Sequence, residues 1–385
     1  MSRTKRLTPP LLLIVLITLL AACRPSGNLP ATPTKTPVPL VTGGADVDAT
    51  PAPFHTPTPD VIAAGPDSYP PGTNPLTGLP VDDPQSLQRR PLAIVVSNSP
   101  PDFTRPQAGL GSADIVYEHF AEGHVTRYAA IYWTNTPEVV GSVRSCRPIM
   151  LEITLMYDAL WVCSGSSAGV AELLAESPNI SWLINGQHYG EPYLRRVFDE
   201  NIAVVPEAPH NLFAVPSEIW TWADEKGYNQ PPDLRGMAFH SQPPAGGVVA
   251  TALEVDFKGA GFTPRWEYDA ASGVYLRFDE GKPYIDNLTK EQLAFENVIV
   301  AASQEIITDI VEDPSGATAL VQQIWGNGPL TVFRDGMRYE GTWQRPTRDD
   351  ILTFQDLNGN PMLLKPGKTW VHVIDLQVER LTAEP

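Results

Sequence analysis

Near residues 235–250, in the stretch DLRGMAFHSQPPAGG, the pattern of this sequence changes. That change limits the folds open to the chain. Upstream, strand-like and helix-like runs alternate. LAIVVSN (92–98) is an apolar run of buried-strand length. ADIVYEHF (113–120) and TRYAAIYW (126–133) read as two strands joined by AEGHV. In the first of these, Ile115 and Tyr117 fall on one face, with Val116 and Glu118 on the other. VVGSVRS (139–145) reads as a further strand. PIMLEITLMYDA carries apolar residues at helical spacing, with Pro148 suited to a helix N1 position. ALWVCSG (159–165) returns to strand character, and SSAGVAELLAE (166–176) reads as a helix begun by a serine. Strand, helix, strand, helix over 139–176 is the pattern of a parallel crossover unit. A further helix is expected over 217–226, with Ser217 as N-cap.

Downstream the runs are short and strand-like: VVATALEVDF, RWEYD, GVYLRFD, NVIVAA, TALVQQIW, PLTVFRDG, MRYEGTW and TWVHVID. Their links, such as DG and DLNGNP, are turn chemistry. TKEQLAF is the one helical pattern in this half. The expected fold is therefore mixed α/β (α+β). An N-terminal α/β domain (76–240) with parallel crossover units precedes a C-terminal β-rich domain (241–385), mostly antiparallel.

The other end of the chain carries an address. Arg3, Lys5 and Arg6 precede the apolar LLLIVLITLL, which is too short to span a bilayer comfortably. It runs into Leu20-Ala21-Ala22-Cys23, which resembles a bacterial lipobox. The expectation is a lipoprotein signal peptide (1–22), cleavage before Cys23 and lipid on that cysteine. Several acyl chains would hold the protein to the membrane on its extracytoplasmic side, in the bacterial cell envelope. Residues 23–75 are rich in Pro and Thr and poor in large apolar residues, so a disordered linker is expected.

The formal charge is −17, and removing residues 1–22 leaves 24 basic against 44 acidic residues, or −20. That argues against a nucleic-acid partner. Against this background, Arg144 and Arg147 in GSVRSCRPIM stand out. If 139–145 is a strand and a helix follows Pro148, both lie at a strand carboxyl end and a helix N-terminus. Backbone N–H groups and guanidinium forks there favour a carboxylate or phosphate. CSGSS (163–167), with Ser164 and Ser166, ends the next expected strand and would lie beside them. The alternative is that the arginines pair with the protein's own carboxylates, such as Glu118, Glu122 or Asp158.

PHNLF (209–213) is the second constellation. It is either a turn or a site in which His210 meets Ser164 or Ser166 and a carboxylate. No G-x-S-x-G elbow supports hydrolysis by serine. No histidine or cysteine spacing points to a metal, and no cofactor is expected. Cys146 and Cys163 fall at the ends of consecutive expected parallel strands. Both a disulfide and a pair of buried thiols are open.

RPLAIVVSN, RPQAGLGSADIVYEHFAEGHVTRYAAIYW, VGSVRSCRPIMLE, YDALWVCSGSS and APHNLF resemble the bacterial YerB-like lipoprotein family. GMRYEGTWQRP and DLNGNPMLLKPGKTWVHV resemble its C-terminal half. The resemblance spans nearly all of residues 75–375. It implies a secreted lipoprotein whose fold is a layered sandwich of sheets and helix (β-β-α), and it brings no established reaction. Family members often read R-S-A-R and V-H-x-G-G-S where this chain has RSCR and VCSGSS. Cys146 and Cys163 thus replace an alanine and a histidine, which fits a disulfide peculiar to this branch.

Three readings follow. The first is an envelope lipoprotein that binds an anionic small molecule or cell-wall fragment through Arg127, Arg144 and Arg147, with Glu122, Ser164, Ser166 and Asn211 around them. The second is an envelope hydrolase or transferase using His210 with Glu118 or Ser166. The third is a protein-binding scaffold.

Overall fold

Every residue of the strand Leu92–Ser97 (β1) is buried, because apolar side chains cover both of its faces. Ala93 and Val95 point into one apolar cluster, Leu92, Ile94 and Val96 into another. The period-two alternation of a strand sends neighbours to opposite faces, so a doubly covered strand reads as an unbroken apolar run. The computed structural model that reveals this packing describes residues 63–257, 259–377 and 380–385. The expected signal peptide, Cys23 and residues 23–62 of the expected linker lie outside them. Residues 63–75 pair with the body: Ala64 exchanges two backbone hydrogen bonds with Phe239, and Asn74 Nδ2 donates to Asp114 at 2.9 Å.

Ile115–Ala121 (β2) and Val125–Tyr132 (β3) form an antiparallel hairpin around Gly123 and His124, both in the left-handed region. β3 pairs with β1, and β1 pairs in parallel with Leu160–Cys163 (β5), past the two-residue strand Val140–Gly141 (β4). Ala168–Ala175 (α3) then crosses over to Leu183–Asn185 (β6), parallel to β5. Among the described residues, two α-helices precede α3: Pro101–Thr104 (α1) and Ile149–Met156 (α2). Ser167 caps α3 by accepting from the Val170 N–H. The helix Pro216–Lys226 (α4) starts one residue earlier than expected. Pro216 takes the N1 role, Val215 the N-cap, and Ser217 lies inside the first turn.

The C-terminal strands join the same sheet. Thr369–Asp375 lies between β2 and Asn297–Val311, parallel to both. Beyond Asn297–Val311 the sheet continues antiparallel through Gly326–Arg334 and Met337–Arg345 to Val248–Val249. Twelve strands among the described residues thus form one mixed sheet across the expected domain boundary. A second sheet, built from Ala252–Asp256, Arg265–Asp269, Val274–Asp279 and their neighbours, supplies Leu253, Val255, Trp266 and Tyr275 to one cluster. α2 and α3 supply Ile149, Ile153, Val170 and Leu174 to the other.

Two expected elements are different in the structure. VVGSVRS is not a strand of the twelve-stranded sheet. β4 pairs with Leu212–Ala214, and Val143 bridges separately to Val96, so the run divides between two partners. TKEQLAF contains no helix: Ala294–Phe295 is a short strand, and Phe295 is fully buried against Trp266 and Trp370. Burial of that ring decides the local structure over helix propensity.

Candidate functional site

Three very short strands deliver the candidate residues to one place. β4 lies beside Leu212–Ala214 (β8), which lies beside Leu194–Arg196 (β7). Arg144 follows β4, His210 and Asn211 precede β8, and Arg196 ends β7. Gly141 is required at the crossing: a Cβ there would lie 2.8 Å from the Phe213 ring. The RSCR and CSGSS loops are adjacent, as expected. Ser164 N–H donates to the Arg144 carbonyl at 2.8 Å and Cys146 N–H to the Gly165 carbonyl at 2.9 Å. Cys146 and Cys163 form a disulfide between the two loops, with Cα atoms 5.3 Å apart.

The arginines at this junction divide into two groups. Arg147 makes a two-point contact with Glu122 and lies 3.6 Å from Glu312. Arg127 lies 3.8 Å from Glu122 and donates to the Ser145 carbonyl at 2.8 Å. Burial alone would raise the Glu122 pKa, but the bonds and charge of Arg147, with the charge of Arg127, hold it below the usual carboxylate range. Burial, with Arg147 adding repulsion, pushes the Arg127 guanidinium down to about 9. Ser167 Oγ donates to Glu312 at 3.2 Å, so the long strand Asn297–Val311 and its turn tie into the same cluster. These two arginines are neutralised from within.

Arg144 is different. Its Nη2 lies 2.6 Å from His210 Nδ1 and its Nε 3.4 Å from Ser97 Oγ. Arg196 Nη1 donates to Asn211 Oδ1 at 3.0 Å, and Asn211 Nδ2 donates to the Pro206 carbonyl. Among the described residues, neither Arg144 nor Arg196 has a carboxylate within 4.0 Å. Burial, with repulsion from Arg196, lowers the Arg144 pKa. Burial, with repulsion from Arg144, lowers that of His210. The imidazole is therefore neutral near pH 7, and Nδ1 accepts from the guanidinium. Phe103 of α1 lies against His210, ring centroids 4.9 Å apart.

Other candidates lie elsewhere. Glu118 is fully buried between the two sheets, where it accepts from Thr126 Oγ1 at 2.9 Å and Arg277 Nη2 at 3.1 Å. His372 Nδ1 lies 3.3 Å from it, and His372 Nε2 accepts from Trp266. The structure does not bring Glu118 to His210. Ser164 and Ser166 are half-buried in the CSGSS loop, and neither hydroxyl bonds His210. Asp158 pairs with Arg90, not with the RSCR loop. No group of three or more His, Cys, Asp or Glu among the described residues could hold a metal ion. Arg196, Ser97 and Phe103 escaped sequence reasoning. Arg196 arrives through a three-residue strand, and its pairing with β8 has no local signature.

Comparison with known proteins fits this architecture. Residues 76–229 match the N-terminal domain, and residues 253–371 the C-terminal domain, of a family described as "Protein of unknown function (DUF3048)". A protein of Bacillus subtilis (strain 168), named "Putative lipoprotein YerB", is 31% identical over 303 residues, which cover 78% of this chain and 85% of that protein. The crystal structure of the YerB protein from Bacillus subtilis superposes with a TM-score of 0.67 at 27% identity, over 80% of this chain and 99% of that one. Both halves of the domain, in order, together with a relative matched over most of its length, place this chain in the YerB-like DUF3048 family.

Proposed function

We propose that this protein is a lipid-anchored protein of the cell envelope that binds an anionic ligand, a small molecule or a wall fragment, at Arg144, Arg196 and His210. One observation carries the reading. In a chain with 44 acidic residues, two neighbouring arginines have no carboxylate partner among the described residues, while Arg127 and Arg147 close by are both supplied with one. Arg144 is half-buried and feels the charge of the exposed Arg196; like charges are unfavourable together, and an anion between them relieves that cost. The basic leader, the apolar core and Leu20-Ala21-Ala22-Cys23 support a lipid anchor, as does the name of the Bacillus relative. No helix among the described residues is long and apolar enough to cross a membrane. The two apolar clusters support a layered arrangement of helices, mixed sheet and second sheet, which holds the site at one edge.

Thermal-shift titration of the full-length chain in detergent with a panel of carboxylates and phosphates tests the reading. Binding should raise the melting temperature of the wild type. Arg144→Ala should abolish that shift while its own unliganded transition stays cooperative. No stabilisation by any anion, or equal stabilisation of wild type and variant, overturns it.

A further inference from the structure

We infer that the ligand at this site is a phosphate ester carried on a sugar-sized ring; this rests on the anion-binding reading above. Arg144 and Arg196 together present more donors than one carboxylate can use. Among the described residues, Arg144 keeps Nη1 unengaged and Arg196 keeps Nε and Nη2, while His210 adds a ring that can take up a proton. A carboxylate fills one guanidinium fork. A phosphate monoester has three free oxygens and up to two charges, enough to serve both forks at once.

A bare phosphate would leave the exposed ring beside His210 unused. Phe103 is 43% exposed, and its ring lies 4.9 Å from that of His210 at an angle of 38°. A large exposed ring against His210 and its cationic neighbours suits a ligand with an anionic end and a flat apolar flank, as the CH face of a pyranose provides. The α1 turn fixes Phe103 there: Thr104 Oγ1 donates to the Pro100 carbonyl at 2.9 Å, and Arg105 N–H to the Pro101 carbonyl at 2.9 Å.

Calorimetric titration of the full-length chain in detergent with glucose 1-phosphate, glycerol 3-phosphate, inorganic phosphate and glucose tests this. The wild type should bind glucose 1-phosphate about three- to tenfold tighter than glycerol 3-phosphate, the range expected of one aromatic contact. Glucose alone should not bind. Phe103→Ala should erase the difference between the two esters and leave glycerol 3-phosphate unchanged. Equal affinity for the two esters, or a preference that survives Phe103→Ala, overturns the ring and leaves the anion site standing. Binding of carboxylates but of neither ester overturns the phosphate. Binding of no anion removes both this inference and the reading beneath it.

Discussion

Arg144 and Arg147 sit three residues apart, and the structure gives them opposite work. Arg147 is held by Glu122 and Glu312 with its side chain 8% exposed. Removing it leaves two desolvated carboxylates that repel each other, with Arg127 at 3.8 Å from Glu122 the remaining cation. Arg147→Ala should therefore destabilise the protein by about 3 kcal/mol or more, read as a lower denaturation midpoint. Arg144→Ala removes a cation with no carboxylate partner, so it should leave the midpoint nearly unchanged. If the two variants melt alike, the division of labour is wrong. The sequence could not separate them: both follow the same short strand, and Glu312 approaches from the far half of the chain. A third residue gives a pH signature. Burial raises the Glu305 carboxyl to about 7, with Asp375 adding repulsion, although Gln322 Nε2 donates to it at 3.1 Å. Its folded pKa lies above its unfolded value of about 4.5. The stability linked to it is therefore fully present below pH 4.5 and lost as pH rises through 7. Glu305→Gln should cancel that loss. The variant's melting temperature should exceed the wild type's at pH 8 and match it near pH 5. A constant difference across that range would show that Glu305 does not titrate as its burial implies.

At the scale of elements, strands with a long apolar run were legible and short ones were not. β1 to β3 follow from apolar patterning because each is covered on both faces. β4, β7 and β8 have two or three residues each, too few for a period to register. Yet these three strands place Arg144, Arg196 and His210. The candidate site was thus readable as a set of charged loops, while its assembly was not. The disulfide compensates for this slight framework. It joins the loop before α2 to the loop before α3 across a sequence separation of 17 residues. Closing a loop of that size is worth about 3 kcal/mol in the chain-entropy view. Cys146→Ala/Cys163→Ser should lower the melting temperature by several degrees, and a reducing agent should bring the wild type to the same value. An unchanged melting temperature in both cases would show that backbone bonds such as Ser164 N–H to the Arg144 carbonyl suffice.

At the scale of the whole molecule, the change of pattern near residue 240 marks a change of local structure within one sheet. The strand Thr369–Asp375 carries the join. It pairs in parallel with β2 on one side and Asn297–Val311 on the other, so neither half completes its sheet alone. Side chains repeat the coupling. Glu118 from β2 meets Arg277 from the second sheet, and Trp370 packs edge-on against Tyr128, Trp266 and Phe295. Glu152 of α2 pairs with Arg345 at 2.7 Å, joining the two halves on the other face. All of these side chains except Trp266, Arg277 and Phe295 come from the central sheet or α2, and all are buried. Residues 76–240 alone would expose the β2 edge, leave Glu118 and Glu152 without their cations, and uncover the apolar face now under Trp266 and Tyr275. That fragment should fail to fold, giving a poorly dispersed amide spectrum. The full-length chain should unfold in one calorimetric transition with matching calorimetric and van't Hoff enthalpies. Two resolved transitions, or a well-dispersed spectrum from residues 76–240, would mean that the halves are independent and that the shared strand only docks them.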